Sequence, residues 1–115
     1  MLRITEEQMQ KLDQLTRDRG NRRIAEYVAE RFPQAFAGYD EARKIAVIER
    51  MREAAAAFGF ERDDHIGTYI DLFVMYGPGF ESQPWAASIL NDPDLSPAAK
   101  VFALKRRVSA SGVEI

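Results

Sequence analysis

Residues 66–85 read Ile66-Gly67-Thr68-Tyr69-Ile70-Asp71-Leu72-Phe73-Val74-Met75-Tyr76-Gly77-Pro78-Gly79-Phe80-Glu81-Ser82-Gln83-Pro84-Trp85. Ile66, Tyr69, Ile70, Phe73 and Val74 recur at helical spacing, and Leu72 and Met75 carry the apolar surface further round the cylinder. A helix that is apolar on several sides is expected at the centre of a bundle. Gly77-Pro78-Gly79 cannot continue it, because proline has no amide hydrogen and clashes with the preceding turn. Pro84 then opens a second, shorter helix at a position whose amide would lack a partner anyway. It is followed by Trp85, the only tryptophan. The break is specific, yet it carries no group suited to catalysis.

The flanking sequence has the same period. Thr5 and Gln8 form a capping box, and Ile4 and Met9 fit a hydrophobic staple. Met9, Leu12 and Leu15, then Ile24, Tyr27, Val28 and Phe32, predict one helix from Glu6 to about Phe32, with a weak point at Gly20. Two helices with a turn at Gly20-Asn21 are the alternative. Pro33 ends the element in either case.

A second helix is expected from Asp40, with Ile45, Ile48, Met51, Ala55 and Phe58 on one stripe and Gly59 at its left-handed end. The small side chains Ala54 to Ala57 would let a neighbouring helix approach closely. The third helix spans about Asp63 to Tyr76. The fourth runs from Pro84 to near Asn91, and the fifth starts at Ser96-Pro97 with Ala98, Val101, Phe102, Lys105 and Val108 on its face. The expectation is an all-α, single-domain bundle of four to five helices over residues 1–115, with the tail from about 109 to 115 frayed.

Composition supports a globular chain. At 115 residues, with 46% hydrophobic and 30% charged side chains, it fits one domain and needs neither disulfide nor metal staple. There is no cysteine, so thiolate and disulfide chemistry are excluded. No secretory signal and no membrane-length apolar run are visible, so the default compartment is the cytoplasm. A net charge of −2 gives no global attraction to nucleic acid, and neither nucleic acid nor membrane is expected as a partner.

Chemistry-bearing motifs are few. His65, the only histidine, follows Asp63-Asp64; with no cysteine this falls short of a zinc ligand set, and it reads as a polar helix start. Asp64, Thr68 and Asp71 share one helix face, and with His65 they are the candidates for a small metal-dependent hydrolase. The simpler reading of that face is a solvated side opposite Ile66, Tyr69, Ile70 and Phe73. Arg17, Arg19, Arg22 and Arg23, and Lys105 to Arg107, read as solvated helix faces and helix-end cations. No catalytic, cofactor-binding or metal residue is expected. The aromatic side chains of the loops and of the Gly-Pro-Gly break, Phe36, Tyr39, Tyr76, Phe80 and Trp85, are the candidate partner-binding residues; the simpler reading is that the loop aromatics and Trp85 close the ends of the bundle.

The pattern Phe58-Gly59-Phe60, Glu61 to Asp64, Tyr69 to Phe80, Pro84-Trp85-Ala86 and Ile89-Leu90 resembles a group of small helical proteins encoded beside bacterial type VI secretion effectors, spike proteins and adaptor chaperones. The opening Leu2 to Met9 and the Arg31-Phe32-Pro33 stop are similar as well. The resemblance covers most of the chain, although typical members run longer at the C-terminus, and it brings no catalytic signature. It implies a non-enzymatic accessory or co-chaperone role, with an effector, adaptor chaperone or spike component as partner. An immunity protein that neutralises a toxin encoded next door is the alternative.

Overall fold

The computed structural model describes residues 5–110. It is an all-α domain of five helices: α1 (Glu6–Arg31), α2 (Glu41–Ala56), α3 (Asp63–Tyr76), α4 (Pro84–Leu90) and α5 (Pro97–Ala110). A 3-10 turn, Phe80–Ser82, joins α3 to α4. No strand occurs among the described residues. Of the frayed tail expected from Ser109, residues 109 and 110 still belong to α5, and 111–115 lie outside the described residues.

Local chemistry sets the boundaries. Both halves of the Thr5 capping box are made: the Gln8 amide donates to Thr5 Oγ1 at 3.1 Å, and the Thr5 amide donates to Gln8 Oε1 at 2.9 Å. Asp40 caps α2 by accepting the Arg43 amide at 2.8 Å. Ser96 accepts the Ala99 amide at 3.1 Å ahead of Pro97. α3 ends at Gly77 (φ +83°), and Gly79 (φ +86°) turns the chain into Phe80; a side chain at either position would be strained.

α1 is continuous through Gly20. The glycine is there for close approach, since an added Cβ would lie 3.0 Å from Asp63 Oδ2 and 3.2 Å from Arg52 Nη2. Asn21 is fully buried beside it. Its Oδ1 accepts from Arg52 Nε and Nη2 at 3.0 and 2.9 Å, and its Nδ2 donates to Glu49 Oε2 at 2.7 Å. Arg52 Nη2 also donates to Asp63 Oδ1 at 3.1 Å, so three helices meet in one polar network.

α3 is the central helix, with every residue from His65 to Leu72 buried. The C-terminal half of α1, with Ile24, Ala25 and Val28 buried, packs on both α2 and α3. α5 covers another side through Val101, Leu104 and Val108, and Lys100 Nζ donates to the Phe58 carbonyl at 3.2 Å. The contact between α2 and α3 is partial. Ile48 is buried and Phe58 lies 6.1 Å from Tyr69, ring to ring, but Ile45, Met51 and Phe73 are half-exposed. Of the Ala54–Ala57 run only Ala55 is buried, so it mediates no close helix contact along its length.

The face containing Asp64, Thr68 and Asp71 is expected in solvent, yet Thr68 and Asp71 are buried, Asp71 facing Arg31 of α1. Three local devices permit this. Gly67 leaves room for the Tyr27 ring, which an added Cβ would meet at 3.2 Å. Thr68 Oγ1 donates to the Asp64 carbonyl at 3.2 Å. Asp71 accepts a hydrogen bond from Arg31 of α1.

Burial ranks two neighbouring core positions. Leu72→Ala is expected to cost about 3 kcal/mol by cavity formation. Phe73→Ala, at a half-exposed site, is expected to cost less than Leu72→Ala in the same urea titration.

Candidate functional site

The acidic residues of α3 do not converge. Asp64 is exposed and held by Arg62, whose Nε and Nη2 donate to its two oxygens at 3.0 and 2.9 Å. His65 is buried, its ring edge-on to Phe60 at 6.2 Å. Asp71 faces Arg31, and the Arg31 guanidinium lies 3.2 Å over the Tyr27 ring. Among the described residues no group of three His, Cys, Asp or Glu side chains is placed to hold a metal. No described helix is long and apolar enough to cross a membrane.

The Asp71 carboxyl is the most buried charge among the described residues, 1% exposed. Burial pushes its pKa above the usual carboxylate value, against the opposing hydrogen bond and charge of Arg31 and the charge of Lys105. Asp71 Oδ1 and Arg31 Nε have no hydrogen-bond partner. Tyr69 is also buried, and its hydroxyl donates to Glu81 Oε1 at 3.3 Å. Burial, then the Glu81 charge and hydrogen bond, push the phenol up to about 12.

The five candidate partner-binding aromatics divide. Phe80 is fully buried, 5.3 Å from Tyr69, because the 3-10 turn folds it back under α3; it is a core residue, contrary to expectation. Phe36 is also in the core, where the turns of residues 33–38 bring it to 6.1 Å from Tyr39. Tyr39 is half-buried, with the Arg43 guanidinium 4.1 Å over its ring. Tyr76 and Trp85 stay half-exposed and meet edge-on at 5.2 Å. The Trp85 indole N–H donates to Gln83 Oε1 at 2.9 Å on the surface. Tyr76, Trp85, Arg107 and Val108 line a depression of about 80 Å³ where α3, α4 and α5 converge.

A larger groove of about 390 Å³ lies between α1 and the start of α3, lined by Arg23, Ile24, Glu26, Tyr27, Glu30, Asp63 and Asp64. The sequence pattern did not single it out.

No protein-family model, curated protein or solved structure matches the chain.

Two outcomes are expected. Asp71→Ala leaves the Arg31 cation without its partner and should cost about 3–5 kcal/mol, whereas the double replacement Arg31→Met/Asp71→Leu should recover most of that loss, both read by denaturant unfolding. In an alkaline titration followed by phenolate absorbance, Tyr69 should ionise near pH 12, against 10.0 for the unfolded side chain. Its folded pKa is the higher one, so the stability it contributes is complete below about pH 10 and is lost as pH rises towards 12.

Proposed function

We propose that the chain is a protein-binding accessory factor, non-enzymatic in action, and that the Tyr76–Trp85 depression is its contact surface. One observation carries this reading. Tyrosine, tryptophan and arginine are the side chains most enriched among binding hot spots, and Tyr76, Trp85 and Arg107 meet around one depression at the end of the bundle. The two rings already brace each other at 5.2 Å, so little side-chain freedom remains to be lost on binding. The indole N–H is on the surface with a short, exposed glutamine as partner, a hydrogen bond that a binding partner can replace.

The resemblance to small proteins encoded beside type VI secretion effectors supplies the partner class: an effector, its adaptor chaperone or a spike component. In this reading the domain docks on one of these in the cytoplasm before secretion.

Affinity capture with the wild-type chain and with Trp85→Ala tests the proposal. Wild type should retain an effector, adaptor chaperone or spike protein, and Trp85→Ala should weaken the purified pair by 2 kcal/mol or more, about 30-fold. Tryptophan emission should shift only when the partner is added. Equal binding by wild type, Trp85→Ala and Tyr76→Ala would overturn the assignment of this surface. Rescue of cells from a co-expressed toxin would assign the protein to immunity instead.

A further inference from the structure

Two surface features lie away from the Tyr76–Trp85 depression. The first is Phe102 of α5, 67% exposed, the most open large apolar side chain among the described residues. Ala98 lies one turn before it and Arg106 one turn after it, so the three share a face, and the neighbouring Ala99 and Ala103 are small. α5 carries four cations, Lys100, Lys105, Arg106 and Arg107, and no acid. Three of the four are engaged within the chain: Lys100 donates to the Phe58 carbonyl, the Lys105 charge acts on Asp71, and Arg107 lines the depression. Arg106 is exposed and has no ion-pair partner among the described residues.

The second is the groove of about 390 Å³ between α1 and the start of α3. Its apolar lining is Ile24 and Tyr27, the latter 41% exposed. One face of the Tyr27 ring is covered by the Arg31 guanidinium, whose charge Asp71 meets. Asp63 and Asp64 are met as well, by Arg52 and Arg62. Glu26 and Glu30 are not. Both are exposed, neither has an ion-pair partner among the described residues, and at a spacing of four on one helix they repel each other. Arg23, one turn before Tyr27, is also unpaired, so the open charge of the groove is two carboxylates against one guanidinium. We infer that this groove receives α5 of a second copy of the chain, with Phe102 seated against Ile24 and Tyr27 and Arg106 set against the Glu26–Glu30 pair.

The two faces match in register as well as in charge. Arg106 stands one turn, about 6 Å, beyond Phe102, and Glu30 stands about 4.5 Å beyond Tyr27 along its helix. With the two helices running the same way, Phe102 over Tyr27 brings Arg106 to Glu30 and leaves the uncharged Ala98 and Ala99 beside Arg23. The reverse direction would set Arg106 beside Arg23 and leave Glu30 unanswered. α5 cannot fill the groove of its own copy, because α1 and α5 pack on α3 but not on each other. Each copy therefore offers one face of each kind, and the contact is head-to-tail. One aromatic ring and one guanidinium bury far less than the ~800 Å² per partner of a stable interface, so the association is weak and driven by concentration.

Sedimentation of the wild type from about 10 μM to about 1 mM should show the average mass rising above the monomer value. Phe102→Asp alone, and Glu26→Lys/Glu30→Lys alone, should each stay monomeric over that range, with unchanged helicity because all three sites are exposed. Phe102→Asp keeps its groove and Glu26→Lys/Glu30→Lys keeps its α5, so an equimolar mixture of the two should associate again and stop at a one-to-one pair. A wild type that is monomeric throughout would overturn the inference, as would wild-type association by either variant or a mixture that stays monomeric. Trp85→Ala, outside both faces, should associate as the wild type does; loss of association there would place the contact at the depression and overturn the inference too. The experiment uses the chain alone, so its outcome is separate from that of the Tyr76–Trp85 proposal, which is read with a different partner.

Discussion

A carboxylate in the middle of the central helix constrains the whole arrangement. α3 is buried from His65 to Leu72, and Asp71 lies within that stretch. An ionised carboxylate without a partner there would cost several kcal/mol in lost hydration, so a cation has to be brought to it. Arg31, at the last turn of α1, is that cation. The requirement fixes where α1 ends against α3 and which side of α3 it covers. It also explains why Tyr27 is where it is, its ring lying beneath the guanidinium and above Gly67. The pair is incompletely satisfied, with one nitrogen and one oxygen lacking partners, so it sets the packing geometry more than it adds stability.

The other end of the packed region is held by polar chemistry too. Asn21, Arg52 and Asp63 join α1, α2 and the start of α3 in a network of hydrogen bonds of 2.9 to 3.1 Å, and Gly20 gives it room. Between these two polar fixtures, Ile24, Ala25 and Val28 supply the apolar contact. A hydrophobic stripe alone tolerates sliding and rotation of one helix over another. Buried polar groups at both ends do not, because a displaced donor or acceptor loses its partner.

Much of the fold was legible because helix ends are written in short-range chemistry. The Thr5–Gln8 box, the Asp40 and Ser96 caps, the Gly77-Pro78-Gly79 stop and Pro84 each act within a few residues, and each is found where the pattern put it. Packing was less legible. The Asp64-Thr68-Asp71 face reads as polar, and its burial depends on a residue forty positions away. Phe80 reads either as a plug at the bundle end or as a contact aromatic, and the 3-10 turn that buries it has no strong local signature. Of the candidate contact residues, Tyr76 and Trp85 remain accessible, and what distinguishes them from Phe36 and Phe80 is tertiary placement alone. The exposed stripe of Met9, Leu12 and Leu15 carries the same period as the core stripe of the same helix; only the turn count between Leu12 and Asn21 shows that they point apart.

α1 is thus a beam packed over its second half and exposed over residues 5–17, with Arg17 also tied to Glu49 of α2 at 3.1 Å. Leu12 stands eight residues, about 12 Å, beyond Gly20. A sideways load at Leu12 acts on the Asn21–Arg52–Asp63 network as torque with that lever arm, and the Arg31–Asp71 pair at the far end resists the rotation. Traction on the exposed segment is therefore delivered to a set of hydrogen bonds joining three helices, and tension there is felt across α1, α2 and α3 at once.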